Sequence, residues 1–145
     1  MRRNIPEDTS TFRYHDTNPK GKKTGDCVIR AISTATNKTW DEVYEALYKI
    51  GFKYKLMPDD PKCYERYLKE LGWIKHKQPR KPDNTKYTGT DFINTEEYNN
   101  LRFSNHNIIA RIGTLHLTAI INGKICDTWN CSYGKIGTYW TKENN

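Results

Sequence analysis

The sequence predicts an α+β fold in which N-terminal helices pack on a C-terminal antiparallel sheet. Three observations predict it. Apolar residues recur at helical spacing from Val28 to Leu71, whereas from Asn107 onward they fall in short runs of strand type. An Asn122-Gly123 pair sits between two of those runs, the preferred residues of a two-residue hairpin turn. No repeat, low-complexity tract or internal linker interrupts the order. Residues 1–145 are therefore expected to form one domain, behind a polar, turn-rich lead-in over residues 1–23.

Composition narrows the class. Hydrophobic residues make up only 35% of the 145, but ten Tyr, four Trp and four Phe supply large buried areas per residue, which favours a folded chain over disorder. Lys plus Arg exceed Asp plus Glu by 24 to 17, a net charge of +7 that attracts acidic partners. The N-terminus has no apolar run of the signal-peptide kind, and no window approaches the ~20 apolar residues of a membrane span. A cytoplasmic location and no membrane partner are expected. Cysteines stand at 27, 63, 126 and 131 without a Cys-x-x-Cys pair. That spacing supports neither a disulfide framework nor a zinc ribbon, and no metal or cofactor is expected.

A first helix is predicted from Asp26 to Thr36, with Val28, Ala31, Ile32 and Ala35 as its buried face and Ile29 widening the stripe. Thr39 and Glu42 form a capping box that opens a second helix. Val43, Leu47 and Ile50 are its apolar side and Gly51 its stop. Asp60-Pro61 opens a third helix with Tyr64, Tyr67, Leu68 and Leu71 along one side, ended by Gly72. Residues 73–77 read as a short strand and 78–90 as a loop. Asp91-Phe92-Ile93 and Glu96-Glu97-Tyr98 suggest a short helix or turn. Strands are predicted over 108–112, 115–121, 124–129 and 136–140.

The hairpin carries the most discriminating inference. With Asn122-Gly123 as the loop, Ile121 faces Lys124, Asp127 lies opposite Thr118, and Trp129 lies opposite His116. Alternation then puts His116, Thr118, Ile120, Ile125, Asp127 and Trp129 on one face, with Asp127 diagonal to His116. Cys126 and Asn130 point to the other face, so Asn130 ranks below Asp127 as a partner for His116. A site combining Cys126, Cys131 and a histidine is disfavoured for the same reason.

The stretch Thr24-Gly25-Asp26-Cys27 reads as a loop entering the first turn of a helix. A thiol there feels the positive end of the helix dipole, which favours the thiolate. A histidine beside such a thiol takes its proton and later protonates the leaving group, and a carboxylate orients the imidazole. The backbone amide of Cys27 points where an oxyanion would form. Cys27, His116 and Asp127 are thus the candidate catalytic residues.

Gly25-Asp26-Cys27-Val28-Ile29-Arg30-Ala31-Ile32, the His116 that opens a strand and the Asp127 after a hairpin together resemble the papain-like cysteine peptidase superfamily. The nearest branch is the bacteriocin-leader-processing peptidases. The resemblance implies a papain-like fold, Cys27 as nucleophile, His116 as base and Asp127 as orienting acid. It implies a peptide or protein substrate, cleaved at an amide or isopeptide bond. The same order of residues occurs in the transglutaminase-like branch, so acyl transfer is an equal expectation. Where papain-like enzymes place a glutamine six residues before the nucleophile, this chain has Gly21, and Asn18 is the candidate side-chain oxyanion donor. The Gly25–Ile32 and His116–Ile120 stretches also resemble small uncharacterised phage-encoded proteins, which implies a host cell's cytoplasm as the place of action.

A second class of function rests on charge. Lys75-His76-Lys77-Gln78-Pro79-Arg80-Lys81 puts four positive charges in seven residues, with Trp73 and Tyr87 nearby. Lys75, Lys77, Arg80 and Lys81 are the candidate contacts of a non-enzymatic basic protein that binds nucleic acid or a host nucleic-acid complex, with the papain-like fold inactive.

Overall fold

The computed structural model describes residues 5–143. Eleven elements follow one another among them: β1 (Phe12–Tyr14), α1 (Cys27–Thr36), α2 (Trp40–Tyr54), α3 (Pro61–Glu70), β2 (Ile74–His76), α4 (Gly89–Ile93), α5 (Glu96–Phe103), β3 (His106–Ile112), β4 (His116–Ile121), β5 (Lys124–Asp127) and β6 (Ile136–Glu143). The strands make one six-stranded sheet in the order β1-β5-β4-β3-β6-β2. The fold is a mixed α+β arrangement of helices on an open sheet.

Local chemistry opens α2 and α3 as expected. Thr39 caps α2 with the full reciprocal box to Glu42, and Asp60 caps α3 with Pro61 as its first residue. Thr88 and Thr95 cap α4 and α5 by accepting from Asp91 N and Tyr98 N. One boundary differs. Gly51 does not stop α2 but lies buried within it, and the helix runs on to Tyr54 before Lys55 turns left-handed at φ 58°. The returning chain lays Leu56 on Gly51, whose carbonyl accepts from Leu56 N at 2.9 Å. A Cβ at position 51 would sit 2.5 Å from Leu56 O, so glycine serves close approach there, not termination.

The sheet departs from expectation in two ways. The polar lead-in contains a strand: β1 runs parallel to β5, pairing Tyr14 with Asp127, and buries Phe12 completely. It covers what would be an open edge of β5. The sheet is therefore mixed, with one parallel pair. Helices also occupy both faces. α1, α2 and α3 pack on Ile109, Leu117, Ala119 and Trp140. Phe92 and Ile93 of α4 and Tyr98 of α5 pack on the opposite side, against Ile108, Ala110, Ile112, Ile120, Ile125 and Tyr139. With strands buried on both sides, β3 reads as a near-continuous apolar run instead of an alternating one.

The hairpin has the anticipated register. Ile121 pairs with Lys124, Ile120 with Ile125 and Ala119 with Cys126. Asn122 and Gly123 both have positive φ, 50° and 83°, as a type I′ turn requires. Tyr98 Oη accepts the Gly123 amide at 2.7 Å, tying the turn to α5. β5 ends at Asp127, two residues earlier than predicted, and 128–135 fold back as a loop with Cys131 and Ser132 buried.

Candidate functional site

The site forms where the N-terminus of α1 meets the start of β4 and the end of β5. Leu117 and Ala119 face α1, while Thr118 and Ile120 face the second helical layer, as alternation demands. His116 occupies the first position of β4. At a strand end its ring reaches both a neighbour on its own face and the helix beside it. Nε2 donates to Asp127 Oδ2 at 2.7 Å. The ring and the Leu117 backbone lie close enough to the half-buried Cys27 thiol to lower its pKa. Trp129 covers the histidine, with ring centroids 4.8 Å apart.

Asp127 is a buried hydrogen-bond hub. Its Oδ2 accepts from His116, from Thr118 Oγ1 at 2.6 Å and from Cys131 Sγ at 3.6 Å. Its Oδ1 accepts from Thr128 N at 2.7 Å. Burial alone would raise this carboxyl, but the His116 and Thr118 bonds and the imidazolium charge hold it below the ordinary carboxylate range. Burial likewise opposes charge on His116, yet its bonds to Asp127, Cys131 and Cys27 carry it up to about 11. Burial pushes Cys27 up as well; hydrogen bonds from His116 and Leu117, and the charges of His116 and Arg30, bring it below its ordinary value. Cys63, Cys126 and Cys131 go the other way, raised chiefly by burial. The shifts of Cys27 and His116 thus run in the direction of a thiolate beside an imidazolium.

Asp26 braces the loop that delivers Cys27. It is 5% exposed and receives Arg30 Nη1 at 2.7 Å, Trp40 Nε1 at 2.9 Å and Asn18 Nδ2 at 3.1 Å. Arg30 also reaches Asp127 Oδ1 at 3.7 Å, so one guanidinium links the residue before Cys27 to the acid behind His116. Asp26 makes no side-chain cap to α1.

The structure brings Cys27, His116 and Asp127 together. It does not place Asn18 as an oxyanion donor: both amide hydrogens are engaged, one by Asp26 Oδ2 and the other by Lys22 O at 3.3 Å. Asn130 is turned away, its Oδ1 accepting from Ser132 N and Oγ. In the basic stretch, Lys75 pairs with Glu65 and Lys81 with Asp91, Arg80 bonds Asn84 O, and Lys77 is exposed.

Arg30 is a participant that sequence reasoning missed, and Cys131, considered there only beside Cys126 and set aside, joins Asp127 without Cys126. The i, i+4 spacing of Asp26 and Arg30 was an available signal for the first. Nothing local marked Cys131, which arrives through the loop after β5. Among the described residues, His116, Asp127 and Cys131 are also the group able to ligate a metal, with donor atoms within 4.8 Å of one another. Two tetrahedral zinc ligands at ~2.0–2.1 Å stand roughly 3.3 Å apart. The 2.7 Å between Nε2 and Oδ2 is instead a hydrogen-bond separation.

No helix among the described residues is long and apolar enough to cross a membrane. No family model matches the chain, and neither the curated proteins nor the solved structures yield a match to it.

Proposed function

We propose that this protein is a papain-like cysteine hydrolase or acyltransferase acting on an amide or isopeptide bond. The observation that carries the proposal is the His116–Asp127 hydrogen bond at 2.7 Å beside a thiol on the first residue of α1. Cys27 thiolate attacks the carbonyl carbon, and the oxyanion forms against the backbone amide of Cys27 at the positive helix end. His116 gives its proton to the leaving amine as the C–N bond breaks, leaving a thioester on Cys27. Water or an acceptor amine then attacks that thioester, losing a proton to His116 and restoring the thiolate. Asp127 keeps Nε2 protonated and turned inward, so Nδ1 is the nitrogen that exchanges protons with sulfur and substrate. Arg30 and Asp26 hold the two halves of the site in register.

The test is alkylation of the folded protein by iodoacetamide at neutral pH, read residue by residue by mass spectrometry. Cys27 is expected to react about tenfold or more ahead of the buried Cys63, Cys126 and Cys131. Exposure alone favours Cys27, so the decisive comparison is His116→Ala, which is expected to slow Cys27 about tenfold. An unchanged rate in His116→Ala removes the catalytic pair.

A further inference from the structure

The side of α2 away from the sheet carries an aromatic ladder. Trp40 and Tyr44 stack with centroids 5.0 Å apart and planes 11° from parallel, and Tyr48 follows Tyr44 at 5.4 Å. The i, i+4 spacing aligns them on one face. Neither Tyr44 nor Tyr48 is spent on the core, at 41% and 55% exposed, and Met57 beside them is 69% exposed. With Gly25, Val28 and Asp59 they help line a groove of about 620 Å³ whose wall includes the residues on both sides of Cys27 in the chain. An exposed apolar surface of this kind, lined by the chain neighbours of Cys27 though not by Cys27 itself, is where a ligand is to be sought.

Charge identifies the occupant. The groove lining has two carboxylates, Asp26 and Asp59, and no lysine or arginine, in a chain of net charge +7. Asp26 is consumed by Arg30, Trp40 and Asn18. Asp59 is exposed, and among the described residues it accepts no hydrogen bond and forms no ion pair. Lys22 and Lys23, exposed just ahead of Thr24, stay outside the lining. Aromatic rings attract a cation through their quadrupole, and a free carboxylate at their edge adds a directional partner. A sugar or base could stack on the same rings and donate a hydroxyl or N–H to Asp59 but carries no positive charge to match the carboxylate, and a phosphate would be repelled by it.

We propose that this groove holds a lysine or arginine side chain of the substrate, seated against Tyr44 and Tyr48 and facing Asp59. The substrate class is thereby a basic peptide segment, lying across the N-terminus of α1 on one side of the reacting bond. That the ligand is a peptide rests on the cysteine-hydrolase reading; the preference for positive charge rests on the groove alone.

The experiment uses the full chain with Cys27→Ala, so that binding is read without turnover. Fluorescein-labelled hexapeptides identical but for Lys, Arg or Glu at one position are titrated by anisotropy at physiological salt. The Lys and Arg peptides are expected to bind about tenfold tighter than the Glu peptide, against the direction that the overall positive charge would impose. Asp59→Asn is expected to cut that preference roughly fivefold, and Tyr44→Ala with Tyr48→Ala to weaken the Lys peptide about tenfold. All three side chains are exposed, so these variants are expected to fold. Equal or tighter binding of the Glu peptide, or a preference that Asp59→Asn leaves intact, overturns the proposal. So does a Lys peptide that fails to saturate while a short oligosaccharide or oligonucleotide binds. The iodoacetamide rate at Cys27, measured in Asp59→Asn with the cysteine present, is expected to stay unchanged. A lost peptide preference with His116-dependent labelling intact removes the groove alone, whereas the reverse result removes the catalytic pair alone.

Discussion

Replacing Asp127 by Asn separates orientation of His116 from mere packing. The wild-type carboxylate accepts from His116 Nε2 and Thr118 Oγ1 at one oxygen and from Thr128 N at the other. An amide can satisfy only one side. With its NH₂ toward His116 it meets two donors, and with its NH₂ toward Thr128 it meets a backbone N–H. Either way a charge-assisted bond is lost, at ~1.5–3 kcal/mol, and a buried donor is left unpaired, at ~1–3 kcal/mol. About 3–5 kcal/mol of stability should go, which lowers Tm by roughly 10 °C in a domain of this size. Packing loss alone would end there. Orientation adds a signature in chemistry: the imidazolium loses its counter-charge, so the pH inflection of Cys27 alkylation should move up toward the free-thiol range near ~8.5. Thr118→Val is the control, removing one hydroxyl donor to the same oxygen at about 1 kcal/mol with no shift of the inflection. The assay is the iodoacetamide rate from pH 5 to 9 on protein whose folding has been checked by circular dichroism. A folded Asp127→Asn variant whose profile superimposes on wild type would refute the orienting role.

Two further outcomes follow from the same physics. Gly51→Ala improves helix propensity and on that ground alone would stabilise, but the new Cβ lies 2.5 Å from Leu56 O, so Tm is expected to fall by about 5 °C for a loss of ~1–3 kcal/mol; a rise would mean that the segment folding back after α2 yields freely. In pH-dependent thermal unfolding, the lowered Asp127 contributes stability that is present above its unfolded value near ~3.9 and is lost as pH falls through its folded value. His116, raised to about 11, contributes stability present below its unfolded value near ~6.5 and lost as pH rises through about 11. Both limbs belong to one ion pair, so Asp127→Asn should flatten both together.

Sequence reasoning reached deepest where a structural decision is made within a few residues. The Thr39–Glu42 box and the Asp60-Pro61 start have their donors and acceptors inside one helical turn. The Asn122-Gly123 turn sets the register of β4 and β5 by itself, because positive φ at both positions admits few loop geometries. From that register and strict alternation, the approach of Asp127 to His116 follows without any knowledge of the rest of the chain. Cys27 at a helix start was legible for the same reason.

Contacts between distant segments left no such mark. A three-residue Phe-Arg-Tyr strand has too little alternation to stand out from a polar lead-in, and only its pairing with β5 makes it a strand. Gly51 looked like a stop because its local signal is ambiguous until Leu56 folds back over it. Placing α4 and α5 on the second face required knowing that both sides of the sheet are apolar. The same holds for Cys131 and for Arg30's second contact. Asn18 returned to the loop before Cys27, as its position suggested, but Asp26 and Lys22 O took its amide. The amino-acid order thus determined the helix starts, the hairpin and the alignment of His116 with Asp127, since turn chemistry and period-two alternation act locally. Tertiary packing alone decided what surrounds that pair, because those partners meet only after the chain has closed loops of many residues, where no periodic pattern records the contact.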